Sequence, residues 1–160
     1  MYNAELLDDV SDLHAFLFGA ERVNLSPVRP VLMDFQGGRC FYCGGGLRGP
    51  GAVDHFIAWS RYPVDLGHNF VLAHSSCNSS KGDHLAAFEH LARWAERNAL
   101  HGGELRSAFE QAELASDSRI SRQVAHWAYS QGGEGMRTWA EKNSFVLLPR
   151  DWVRVLDAWE

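Results

Sequence analysis

The chain has 160 residues, enough for one domain or for a small domain with an added helical region. Hydrophobic residues make up 46% and charged residues 22%, ordinary for a globular protein, and no apolar run approaches the roughly 20 residues of a membrane span. The formal net charge of −5 speaks against a uniformly basic, nucleic-acid-binding surface, but it is unevenly spread: residues 1–36 carry −4, residues 101–160 carry −2 and residues 37–100 carry +1.

Along residues 4–19, Leu6, Val10, Leu13 and Leu17 recur at helical spacing with Asp8, Asp9 and Asp12 largely opposite, predicting a helix that ends near Gly19. Acids stand there where a secretory signal would carry Lys or Arg, so a cytoplasmic chain with reduced thiols is expected. An opening directly on a helix also fits a piece of a longer protein. Residues 25–30 read as a Pro-containing connector and 31–36 as a short apolar run, after which Gly37-Gly38 turns the chain toward Cys40. Residues 52–59 mix β-branched and aromatic side chains and predict a strand. A loop with Pro63 and Gly67 covers 60–68, and 69–73 reads as a short strand or the entry to a second turn. A helix is expected from Cys77. A longer one covers 84–98, with an apolar stripe of Leu85, Phe88, Leu91, Ala92 and Ala95, broken by His101-Gly102-Gly103. Helices follow at 104–115 and 119–130, then a loop at 132–135, a short helix at 136–143, an extended piece at 145–148 and a final helix at 151–159. Trp94, Trp127, Trp139, Trp152 and Trp159 fall on these predicted helices as packing anchors; Trp59 lies nearer the cysteine segment, where it could touch a substrate.

All three cysteines lie between residues 40 and 77. Cys40-x-x-Cys43 and His74-x-x-Cys77 are two soft-ligand pairs, each able to donate from one tight turn to a tetrahedral structural zinc ion. Phe41-Tyr42 followed by Gly44-Gly45-Gly46 suits a knuckle whose amides point at sulfur. The 30 residues between the pairs exceed a short zinc ribbon and must fold into something of their own.

That insert carries Asp54-His55 and Asn69, and Asn78 and Lys81 follow Cys77. On a strand, Asp54 and His55 point to opposite faces, so one could hold a metal while the other addresses a water. Cys40/Cys43, Asp54-His55, Asn69, His74/Cys77, Asn78 and Lys81, in this order, resemble the HNH endonucleases, the ββα-metal nuclease fold, in their zinc-containing branch. The resemblance covers roughly residues 37–97, with His74 where that branch usually has Cys. It implies an α+β fold: a small ββα-metal core at 37–98 with a structural zinc site, an N-terminal helical segment at 1–36 and a C-terminal helical region at 99–160. It further implies metal-dependent hydrolysis of phosphodiester bonds in DNA. His55 would be the general base, an imidazole being suited to proton transfer near neutral pH. Asn69 would orient His55, and Asp54 and Asn78 would hold one Mg²⁺ or Mn²⁺. Lys81 is expected on a phosphate, Arg61 on the scissile phosphate and His84 in the outer shell of the metal. Expected partners are nucleic acid, most of all DNA, and a protein partner or second copy that supplies target choice; no membrane is expected. Two alternatives stand beside this reading: a non-catalytic zinc module that binds nucleic acid or protein, and an HNH nuclease acting on RNA.

Overall fold

In the computed structural model the described residues are 24–132 and 135–159; the helix expected at 4–19 lies outside them. The first described helix, α1 (Val28–Phe35), begins just after Pro27 and carries Pro30 in its first turn, where a missing amide hydrogen costs nothing. The expected connector and apolar run are therefore one helix, which buries Val28 and Leu32 one turn apart. Gly37 and Gly38 take φ of +60° and +71° and reverse the chain into the first cysteine turn.

Strand β1 (Ala52–His55) pairs antiparallel with β2 (Phe70–Ala73), Asp54 opposite Val71 and His55 opposite Phe70. The expected strand stops at His55 rather than Trp59, because Phe56 and Ile57 turn inward and are clamped from Asn69. A 3-10 turn (Gly67–Asn69) leads into β2, and helix α2 (Ser75–Lys81) follows it, starting two residues before Cys77. All four residues of β2 are buried, and they alternate between two apolar clusters. Val71 and Ala73 join a large cluster with Phe56, Leu91, Trp94, Tyr129, Trp139 and Trp159; Phe70 and Leu72 join a smaller one with Leu32, Leu105 and Phe109. The other edge of β2 is closed by Gln36, which donates to the Leu72 carbonyl at 2.7 Å and accepts from the Leu72 amide at 2.8 Å, and by Arg97, which donates to the Phe70 carbonyl at 2.8 Å.

Helix α3 (Phe88–Gln111) runs unbroken through His101-Gly102-Gly103, against the expected break. Each glycine in a helix interior costs about 1 kcal/mol. Burial of Leu91, Trp94, Ala95, Asn98, Leu105 and Phe109 along one stripe on both sides of the glycines outweighs that, at about 25 cal/mol per Å² of apolar surface. Phe109 packs flat on Gly67, where an added Cβ would stand 2.3 Å from the ring. Helix α4 (Ser118–Ser130) starts at Asp117, whose side chain accepts the Ile120 amide at 3.0 Å.

The helix expected at 136–143 is instead strand β3 (Arg137–Glu141), which forms an antiparallel hairpin with β4 (Ser144–Leu147). Asn143 supplies the positive φ of the turn at 58°, and Trp139 exchanges backbone hydrogen bonds with Leu85 and Ala87. Tertiary pairing with an extended neighbour overrides a weak helical preference here. Helix α5 (Val153–Asp157) closes the chain. The fold is thus mixed α+β with two small antiparallel sheets, and no described helix is long and apolar enough to cross a membrane.

Candidate metal centre and the polar groups of strand β1

The ligand atoms of Cys40, Cys43, His74 and Cys77 all lie within 4.8 Å of one another, close enough to share one tetrahedral zinc ion. The first turn is held by the Cys40 amide on the Gly45 carbonyl at 2.8 Å and the Gly44 amide on the Cys40 carbonyl at 2.9 Å. Gly45 donates its amide to Cys43 Sγ at 3.4 Å and His74 donates its own to Cys40 Sγ at 3.4 Å. A Cβ at Gly45 would meet His74 Cε1 at 3.3 Å, so the glycine permits the approach of the second pair.

His74 turns Nδ1 toward Cys43 Sγ at 3.3 Å and sets Nε2 on the Gly46 carbonyl at 3.0 Å. The carbonyl fixes the proton on Nε2 and leaves the Nδ1 lone pair for a metal. Burial works to raise the Cys40 thiol, but backbone hydrogen bonds at Cys43, His74 and Tyr42 together hold it below its ordinary value. Cys77 is pushed up to about 12, by burial and then by the neighbouring Cys40 and Cys43 sulfurs. Three thiols on one point repel as thiolates, and a divalent cation is the species that relieves them. The structure thus presents a Cys₃His cluster that could hold zinc.

Strand β1 sends Asp54 and His55 to opposite faces, as the period-2 pleat requires. Asp54 points into the large cluster. Its Oδ2 accepts from the Tyr42 hydroxyl and lies 3.3 Å from Lys81 Nζ; Lys81 is fully buried and also donates to the His55 carbonyl at 3.2 Å. Burial pulls the Lys81 ammonium below its ordinary value, and Asp54 opposes it. Burial, then the Asp54 charge, holds the Tyr42 hydroxyl well above its ordinary value. The expected phosphate contact at Lys81 does not fit this placement: its amine is spent inside the protein.

His55 faces the other way. Its Nε2 meets Asp65 Oδ1 at 2.7 Å, and the two side chains are 11% and 7% exposed. The ring packs edge-on against Trp59 and Phe70, at centroid distances of 5.5 and 4.8 Å, and Nδ1 has no partner among the described residues. Asp65 was not read from the sequence as a site residue. It lies ten positions past His55 in a loop between Pro63 and Gly67, with no spacing signal to single it out.

Asn69, expected to orient His55, clamps the chain just beyond it: Oδ1 accepts the Ile57 amide at 2.8 Å and Nδ2 donates to the Ile57 carbonyl at 3.0 Å. It therefore fixes the end of β1 through backbone. Arg61 donates Nε to the Asp83 carbonyl at 2.9 Å and is half-buried, tying the loop after β1 to the end of α2. Asn78 stands half-buried on α2, three residues before Lys81 and beside Cys77. His84 is exposed and packs edge-on against Phe145 of β4. Among the described residues, the Cys₃His cluster is the one group of three or more His, Cys, Asp or Glu side chains close enough to share a metal. No family model, curated protein or solved structure matches the chain.

Proposed function

We propose that the protein is an HNH-type endonuclease of ββα-metal architecture that hydrolyses phosphodiester bonds in DNA, with β1, β2 and α2 as its core and zinc on the Cys₃His cluster as its staple. The observation that carries this reading is the pairing of His55 Nε2 with Asp65 Oδ1 at 2.7 Å beside a strand end pinned by Asn69. A carboxylate on one ring nitrogen fixes the tautomer in which the other, Nδ1, is a lone pair ready to take a proton. His55 would accept that proton from a water as the water attacks phosphorus. Asp65 would hold the ring in place and stabilise the imidazolium that forms.

Asp54 Oδ1 makes no hydrogen bond among the described residues, and this carboxylate oxygen with the Asn78 amide oxygen would hold a hard divalent cation such as Mg²⁺ or Mn²⁺. Such a cation would supply charge stabilisation at the phosphate and the leaving oxygen. Lys81 then acts on Asp54 and on the His55 carbonyl, setting the position of both neighbours, rather than on substrate.

Nicking of supercoiled plasmid in Mg²⁺ or Mn²⁺ tests the reading, with the native protein beside His55→Ala and a matched RNA beside the DNA. Metal-dependent nicking that disappears in the variant supports it. Cleavage of RNA alone moves the substrate class. No cleavage by folded, zinc-loaded protein sinks the enzymatic reading in favour of a binding module.

A further inference from the structure

One side of the metal cluster borders a cavity of about 340 Å³, walled by the first cysteine turn, α2 and strand β3 with its turn. Cys43 and Cys77 belong to that wall, with Ser76, Ser80 and Trp139; Cys40 and His74 do not. Trp139 Nε1 donates to Ser80 Oγ at 3.0 Å and ties the β3 side of the cavity to α2. Exposure divides the three cysteines in the same way. Cys40 is 2% exposed, Cys77 is half-buried and Cys43 is exposed.

The sulfurs also differ in their hydrogen bonds. Cys40 Sγ accepts the His74 amide and Cys43 Sγ accepts the Gly45 amide, each at 3.4 Å. Cys77 Sγ accepts no amide among the described residues. With zinc bound, all three cysteines are thiolates. An amide hydrogen bond draws electron density from a thiolate and shields it, so Cys77 keeps the most nucleophilic sulfur of the three. It shares its cavity with Cys43. The two sulfurs lie within 4.8 Å, against the about 2.05 Å of a disulfide. Cys40 is the C-x-x-C neighbour that spacing alone would pair with Cys43, but it is buried away from the cavity.

We propose that Cys77 and Cys43 form an oxidation site for hydrogen peroxide, and that their oxidation to a disulfide releases the metal. The Cys77 thiolate attacks one peroxide oxygen; the S–O bond forms, the O–O bond breaks and hydroxide leaves, which makes Cys77 a sulfenic acid. The Cys43 thiolate then attacks the Cys77 sulfur; the S–S bond forms, the S–O bond breaks and a second hydroxide leaves. The two sulfurs together lose two electrons and the peroxide gains them. The oxidised chain keeps Cys40 and His74 for the metal, two ligands of four. Cys77 shares α2 with Lys81, so the loss loosens the helix whose last residue holds Asp54. The proposal stands on the metal cluster and is independent of the endonuclease reading.

The test treats the zinc-loaded full chain with hydrogen peroxide, reads released zinc with a colorimetric chelator, and maps thiols by N-ethylmaleimide labelling, digestion and mass spectrometry. One zinc ion should leave per disulfide formed, with Cys43 linked to Cys77 and the label on Cys40 alone. Dithiothreitol with added zinc should restore the metal-bound chain. Ser76→Phe, at an exposed wall position that is not a ligand, should narrow the cavity and slow release about fivefold or more. A Cys40–Cys43 link as the main product, a link between two chains, or Cys77 carried on to sulfinic acid without a disulfide would overturn the proposal. So would a chain that takes up no zinc, zinc and thiols that survive excess peroxide, or release at an unchanged rate in folded Ser76→Phe.

Discussion

The cysteine–histidine cluster draws its four ligand atoms from the first cysteine turn and from the start of α2, and the His74 amide on Cys40 Sγ ties the two pairs. The polar groups of β1, one strand away, draw their partners from separate places: Tyr42 from the first cysteine turn, Asp65 from the loop before β2 and Lys81 from the end of α2. The first region joins two pairs, each local in sequence, that a metal completes. The second is tertiary chemistry, in which each charged side chain is held by a residue from another segment. Ions removed from water are tolerated only with such partners, so the second region depends on the packing that brings them together.

Removing the metal should separate the two most sharply. Chelation, or Cys40→Ser, is expected to abolish the cooperative unfolding transition, a structural zinc being worth on the order of 10 kcal/mol. Circular dichroism with and without zinc reads this; an apo chain that melts at the native temperature would show that the cluster does not hold the fold. Lys81→Met comes next. It strands a buried carboxylate at Asp54 and should cost about 3–5 kcal/mol in urea denaturation, and adding Asp54→Asn should recover part of the loss. A loss below about 1 kcal/mol would mean that the pair is solvated, as surface pairs are.

Asp65→Asn sharpens the comparison on the other face of β1. It should leave zinc content unchanged, cost about 1–3 kcal/mol of stability and lower cleavage about 100-fold or more. Unchanged cleavage would remove Asp65 from the proposed chemistry. The smallest effect is a pH dependence set by two buried histidines. Burial holds His68 and His90 below their ordinary 6.5. The unfolded chain therefore takes up protons that the folded chain refuses. Stability from this source is full above pH 6.5, falls by up to about 1.4 kcal/mol per site for each pH unit below it, and levels off once the lowered folded values are passed. His90→Gln, which keeps a donor for the Ala140 carbonyl, should flatten the slope.

By itself the sequence marked the four ligands, because each x2-spaced pair is local, while contacts of residues 40–46 with 72–74 brought the two pairs together. It also placed β1, the opposite faces of Asp54 and His55, and α4, since periodicity and capping act over a few residues. Tertiary structure decided the rest. Continuous burial carried α3 through Gly102-Gly103, and the pairing of Trp139 with residues 85–87 made a strand of an expected helix. It put Asp65 on His55, turned Asn69 to the Ile57 backbone and buried Lys81 on Asp54. Contacts between segments far apart in the chain leave no spacing in the sequence, and a lysine expected on a phosphate becomes a buried partner when the core closes around its carboxylate.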